Sequence, residues 1–175
     1  MAALSLQYKD GRQVPEGAGL LISILVRYAE VGSIYYWQEK HALKFTFLLM
    51  GAEGQAVEGL RNKLPLALAA FHGLEGSAMT LCGVESRCEG DIYSLTVTRD
   101  VESMTQTEVG LIVDLLRCEF GEALVLDDAD GAIPEDELLF QEELIGRLLA
   151  KMRDDEIDKN VVAVRDEGRV LVFKN

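Results

Sequence analysis

Hydrophobic and polar residues alternate along several short segments of the chain, and these segments predict β-strands. The segments LKFTFLLM (43–50) and IYSLTVTR (92–99) alternate over most of their length. A period of two places successive side chains on opposite faces, so each segment predicts a strand with one covered face. Two further strands are predicted over AMTLCGV (78–84) and EALVLD (122–127).

Apolar residues spaced three and four positions apart predict helices between these strands. The first helix extends to about His72, and its apolar stripe consists of Val57, Leu60, Leu64, Leu68 and Phe71. Pro65 lies inside it, which predicts a kink or a division into two shorter helices. The second helix spans 106–120, and Thr105 with Glu108 forms a capping box at its start.

The resulting order is strand, helix, strand, strand, helix, strand, and it predicts an α+β fold with a ferredoxin-like βαββαβ core over about 43–127. An N-terminal hairpin (4–14) and a helix precede this core. A C-terminal helix and a hairpin (161–173) follow it, within an extension over 128–175. We expect residues 1–175 to form a single compact domain, because this length is typical of one domain.

The charge of the chain restricts the class of partner. Its 175 residues include 30 acidic and 17 basic residues, a net charge of −13. Proteins that bind nucleic acids or anionic membranes use Lys and Arg to neutralise phosphates, so we expect neither partner. The acid is concentrated in residues 119–159, which carry fourteen acidic and four basic residues.

The N-terminus and the cysteines indicate a cytoplasmic protein. Met1 is followed by Ala-Ala-Leu, which lacks the basic start and the long apolar run of a signal peptide. The longest apolar stretch (20–26) is too short to span a membrane. The three cysteines form no CxxC pair and predict neither a disulfide framework nor a zinc site.

The acidic segment after the last predicted strand resembles part of a calcium-binding loop. Asp128, Asp130 and Glu137 match three of its ligand positions, but Leu126 occupies the first, where an Asp is required. Asp127, Asp128 and Asp130 could instead bind Mg²⁺ as the ligands of a metal-dependent hydrolase. No cofactor is predicted, and Ca²⁺ or Mg²⁺ at this loop is the alternative to a solvated loop that caps a helix.

Two other segments are candidates for binding a ligand or a partner. The cluster at 34–37 contains Tyr35 and the only tryptophan, Trp37, and such residues often anchor interfaces when they face outwards, although packing in the core is the favoured interpretation. Gly51 and Gly54 lie between a strand and a helix, where a phosphate-binding loop is found in other folds, although their spacing matches no nucleotide-binding motif.

No catalytic motif accompanies these features. The leading hypothesis is therefore a non-catalytic interaction or regulatory module that forms a homo-oligomer through its sheet edges. The first alternative is a domain that senses a small molecule near Tyr35 and Trp37 or near Gly51 and Gly54. The second is a metal-dependent enzyme, or a Ca²⁺ or Mg²⁺ binder, that uses the acidic loop (127–137).

Overall fold

A computed structural model describes residues 16–126, 134–155 and 157–174. Its helices are α1 (Glu16–Arg27), α2 (Gly54–Leu74), α3 (Gln106–Phe120) and α4 (Glu135–Asp154). Its strands are β1 (Ser33–Trp37), β2 (Ala42–Met50), β3 (Cys82–Glu89), β4 (Ile92–Asp100), β5 (Val161–Asp166) and β6 (Arg169–Lys174).

The six strands form one sheet in the order β3-β4-β2-β1-β5-β6, in which every neighbouring pair is antiparallel. Short connections set the register of the pairs that are consecutive in the chain. Gln38–Lys40 forms a single 3-10 turn between β1 and β2, and Glu167 and Gly168 alone connect β5 to β6. In the described part of the chain, β3 and β6 are the two edges of the sheet.

One face of the sheet holds the hydrophobic core. Alternate residues of the central strands are fully buried beneath the helices, among them Ile34, Tyr36, Phe45, Phe47, Leu95, Val97 and Ala163. Helix α1 packs on β5 and α4, and α2 packs on β3 and α3. The residues between the buried ones lie on the opposite face, where nearly all are half-buried or exposed. We call this second side the open face.

The α+β class is confirmed, with four helices and a six-stranded antiparallel sheet in the described ranges. The ferredoxin-like arrangement is not confirmed, because β1, β5 and β6 widen the sheet beyond four strands. The strand predicted over 122–127 is wrong for the described residues. Gly121–Ala123 is a 3-10 turn, and Leu124 forms only an isolated bridge to Leu49.

The helices agree closely with the periodicity of the sequence. Helix α2 is continuous through Pro65, and α3 has the predicted bounds. The hydroxyl of Thr105 caps α3 by accepting a hydrogen bond from the backbone N–H of Glu108, at 3.2 Å. The predicted hairpin over 4–14 lies outside the described residues. Among the helices that the structure describes, none combines the length and apolar character needed to cross a bilayer.

Candidate functional site

The open face has a polar half and an apolar half. Towards β3 it carries Thr46, Thr96 and Glu85, which are paired across β2, β4 and β3. Towards β6, beyond the charged pair of Asp166 and Arg169, it carries apolar side chains on the last two strands, where Val162 pairs with Phe173 and Val164 pairs with Leu171. We call these last four residues the apolar strip.

The apolar strip continues to the edge of the sheet at β6. Phe173 is 55% exposed, and Leu171 is half-buried. On the other side of the strand, Val170 and Val172 pack against the margin of the core. Strand β6 therefore presents four consecutive apolar residues along an edge to which no other strand of the described residues is paired.

The opposite edge has a different composition. The outer half of β3 carries the charged residues Glu85, Arg87 and Glu89, all exposed. Charged side chains on an edge strand discourage pairing with another chain, whereas a long apolar edge favours it. The two edges of the sheet therefore differ in their capacity to pair.

Tyr35 and Trp37 both lie half-buried on the open face. Tyr35 pairs with Val162 of the apolar strip on one side and with Lys44 on the other. The ammonium of Lys44 lies 4.2 Å from the centre of the Trp37 ring, a cation–π contact. Tyr35 thus borders the apolar strip, while Trp37 is partly covered by a charged neighbour.

Gly51 and Gly54 lie far from these aromatic residues. Gly51 follows Met50, the last residue of β2. Met50 lies six residues beyond Lys44, the partner of Tyr35, which corresponds to about 20 Å along the strand. Gly51 has a φ of 72°, which suits glycine in a turn. A Cβ atom at Gly54 would lie 2.9 Å from the hydroxyl oxygen of Tyr93. The turn and this close approach account for both glycines.

The structure describes only part of the acidic loop. Asp128 and Asp130 lie outside the described residues, and Glu137 is exposed in the first turn of α4. Within the described ranges, no group of three or more His, Cys, Asp or Glu residues is arranged to hold a metal ion. The metal hypothesis for this loop stays a prediction.

A buried cluster of charged residues joins α2, α3 and β4. Its members are His72, Arg99, Asp100 and Glu108, each at most 4% exposed. Arg99 donates two hydrogen bonds to the Glu108 carboxylate, Nε to Oε2 at 2.8 Å and Nη2 to Oε1 at 3.0 Å. His72 contacts the same carboxylate through Nε2 and the hydroxyl of Ser77 through Nδ1, the latter at 2.8 Å.

Asp100 completes the cluster on the other side of Arg99. Its carboxylate contacts the Arg99 guanidinium and accepts hydrogen bonds from the Leu81 N–H at 2.9 Å and the Ser103 hydroxyl at 2.6 Å. Burial alone would raise the pKa of Asp100, but these hydrogen bonds and the charge of Arg99 outweigh it and lower the pKa to about 2. Asp100 is therefore ionised at neutral pH.

The polar atoms of the cluster contact one another, and these contacts connect α2, α3 and β4. Cys82 is paired with Arg99 across β3 and β4. Burial raises the pKa of the Cys82 thiol, although the charge of Arg99 opposes this shift. A thiol with a raised pKa is a poor nucleophile at neutral pH. Cys82 therefore lacks the lowered pKa that is typical of an activated thiol.

Sequence reasoning missed both the cluster and the importance of β6. Arg99 follows Leu95 and Val97 with the same period of two, so the alternation itself placed it on the buried face. A basic residue at an inward position requires an acidic partner, and that partner is Glu108. The apolar strip had a weaker signal, because no pattern in 161–173 shows which face the helices cover.

Comparisons with known proteins assign this chain to no family. No protein-family model, no curated protein and no solved structure matches this chain.

Proposed function

We propose that this chain is a protein-interaction module that self-associates by pairing the β6 edges of two copies. The single observation that carries the proposal is the apolar edge strand at 170–173, in which Phe173 is exposed and the other three residues are half-buried, and which continues the apolar strip. An edge strand of this kind is a template for pairing with another chain. The occupant we assign to it is a second copy, related by a two-fold axis.

The alternation of β6 restricts how two copies can pair. A two-fold axis perpendicular to the sheet keeps the open faces of both copies on the same side, so opposite residues must share a face. Pairing centred on Val172 satisfies this condition. It places Leu171 of each copy opposite Phe173 of the other and joins the two apolar strips into one surface.

This register also separates the charges at the ends of the strand. Lys174 lies opposite Val170 of the other copy, and Arg169 lies beyond the last pair. Like charges that face each other directly across two strands are destabilising. The pairing centred on Val172 avoids them and covers the apolar residues that the isolated chain exposes.

The cytoplasm is the compartment in which we place the module. Cys82, Cys88 and Cys118 are all free thiols, and two of them are exposed. Free thiols are typical of proteins in a reducing compartment. This supports the cytoplasmic prediction made from the sequence.

Sedimentation velocity of two charge variants tests the proposal. Phe173→Lys places a charge in the centre of the proposed interface. Met50→Lys is the matched control, since Met50 is 57% exposed on the same face but lies at the far end of β2. We expect the wild type and Met50→Lys to sediment as dimers and Phe173→Lys as a monomer. A monomeric wild type, or a dimeric Phe173→Lys variant, would contradict the proposal.

A further inference from the structure

We propose that a cavity at one end of the open face binds a small apolar molecule that carries a protonated amine. The cavity lies where β1, β2 and β5 meet the loops before β1 and after α3. It has a volume of about 360 Å³, which falls within the range of about 300–1,000 Å³ that is typical of small-molecule sites. The site is separate from the β6 edge and does not depend on the proposed self-association.

The walls of the cavity are mostly apolar. They are formed by Ala29, Leu48, Val125, Leu126 and Val164. Leu48, Val125 and Leu126 are 38–54% exposed, so a ligand that covers them removes apolar surface from water. Such burial is the main source of affinity for a small apolar molecule.

Two hydroxyl groups lie on the floor of the cavity. Ser33 and Thr46 are paired across β1 and β2 with their side chains on the open face. The contact between the hydroxyls of Thr46 and Thr96 is long, at 3.4 Å, so the Thr46 hydroxyl remains available to a ligand. A few polar groups in an apolar pocket are the usual means of orienting a ligand.

Arg165 also lines the cavity, and one nitrogen of its guanidinium, Nη2, is held at the end of α1. Its Nη2 lies 3.1 Å from the carbonyl oxygen of Tyr28 and 3.3 Å from that of Val31, and it also contacts the carbonyl of Leu25. These carbonyls lie at and beyond the C-terminal end of α1, which carries a partial negative charge. The carbonyl dipoles therefore offset part of the positive charge that Arg165 brings to the cavity.

Among the described residues that line the cavity, the other charged one is Glu167. Among the described residues, no hydrogen bond or ion pair engages this carboxylate. Glu167 has a φ of 49° in the turn between β5 and β6, where Gly, Asn or Asp is strongly preferred. A glutamate in this strained position presents a carboxylate at the rim of an apolar cavity, and this combination selects a cation.

Isothermal titration calorimetry with two aromatic probes of similar size tests the inference. The probes are 2-naphthylmethylamine, which is protonated at neutral pH, and 2-naphthoate, which is an anion. We expect the amine to bind and the naphthoate to show no heat of binding. Glu167→Gln should weaken the affinity for the amine about fivefold, as loss of a partly exposed ion pair does.

Two further variants separate the cavity from general attraction of a cation to an acidic protein. Asp166→Asn removes a charge from the same turn but not from the cavity lining, and it should leave the affinity unchanged. Ser33→Ile fills the floor of the cavity and should abolish binding of the amine. The inference is overturned if neither probe binds, if both probes bind equally, or if Ser33→Ile or Glu167→Gln binds the amine like the wild type.

Discussion

Arg99 of β4 and Glu108 of α3 form a bidentate ion pair in which both side chains are fully buried. The same carboxylate contacts His72 at the end of α2. Charges inside a protein are costly to desolvate, and this cost is offset only where both partners are present. The pair therefore fixes α2 and α3 against β4.

Glu108→Gln should destabilise the protein by about 3 kcal/mol, because it leaves the buried guanidinium with only one carboxylate partner. The free energy of unfolding is measured by urea denaturation. Glu102→Gln is the matched control, since Glu102 is exposed in the neighbouring turn, and it should change the stability by less than about 0.5 kcal/mol. If the two variants changed the free energy of unfolding equally, the ion pair would contribute nothing to stability.

Asp100 should contribute a component of stability that is lost in acid. Its pKa is about 2 in the folded protein and 3.8 without the cluster. The stabilisation is therefore complete above about pH 4 and is lost as the pH falls towards 2, by about 2 kcal/mol in total. Urea denaturation of the wild type and Asp100→Asn should show a stability difference that shrinks over this range. A constant difference would contradict the low pKa.

Pro65→Ala should stabilise the protein. Proline has no N–H, so the helical hydrogen bond to the carbonyl of Arg61 is lost within a continuous α2. Alanine restores it, and we expect a gain of about 1–2 kcal/mol after allowing for the greater flexibility of the unfolded chain. Lys63→Ala, at an exposed position in the same helix, should have little effect. Thermal unfolding that shows no rise in Tm for Pro65→Ala would contradict this expectation.

The proposed dimer should become tighter as salt is added. Each copy carries a net charge of −13, so two copies repel one another. The screening length falls from about 30 Å at 0.01 M salt to about 8 Å at 0.15 M, which weakens this repulsion. Sedimentation equilibrium over this range should give a falling Kd. A Kd that rises with salt would indicate an interface held by ion pairs.

The sequence predicted those elements whose signals are local. Thr105 and the apolar stripe of α3 gave the correct start and end of this helix, because capping and periodicity act within a few residues. The segment at 122–127 has the composition of a strand, but the sheet position beside β2 is occupied mainly by β1. That competition depends on contacts between residues distant in sequence.

The candidate surfaces were harder to predict from the sequence, because they too depend on contacts between residues that are distant in sequence. Tyr35 was considered as an aromatic residue that could face outwards, with core packing favoured, and it lies half-buried on the open face beside Val162. The role of Phe173 depends on β6 being an edge, which only the strand order reveals. Glu108 was predicted to cap its own helix, but its side chain turns inwards because Arg99 lies beneath it.

Disulfide trapping across the proposed two-fold axis tests the central claim most directly. Opposite residues of antiparallel strands have Cα atoms about 4.5–5.5 Å apart, within the range of a disulfide. In a background where the three native cysteines are replaced, we expect Val172→Cys to form a covalent dimer on oxidation. Val84→Cys, on the β3 edge, should remain a monomer. No covalent dimer from Val172→Cys, or an equal yield from Val84→Cys, would contradict self-association through β6.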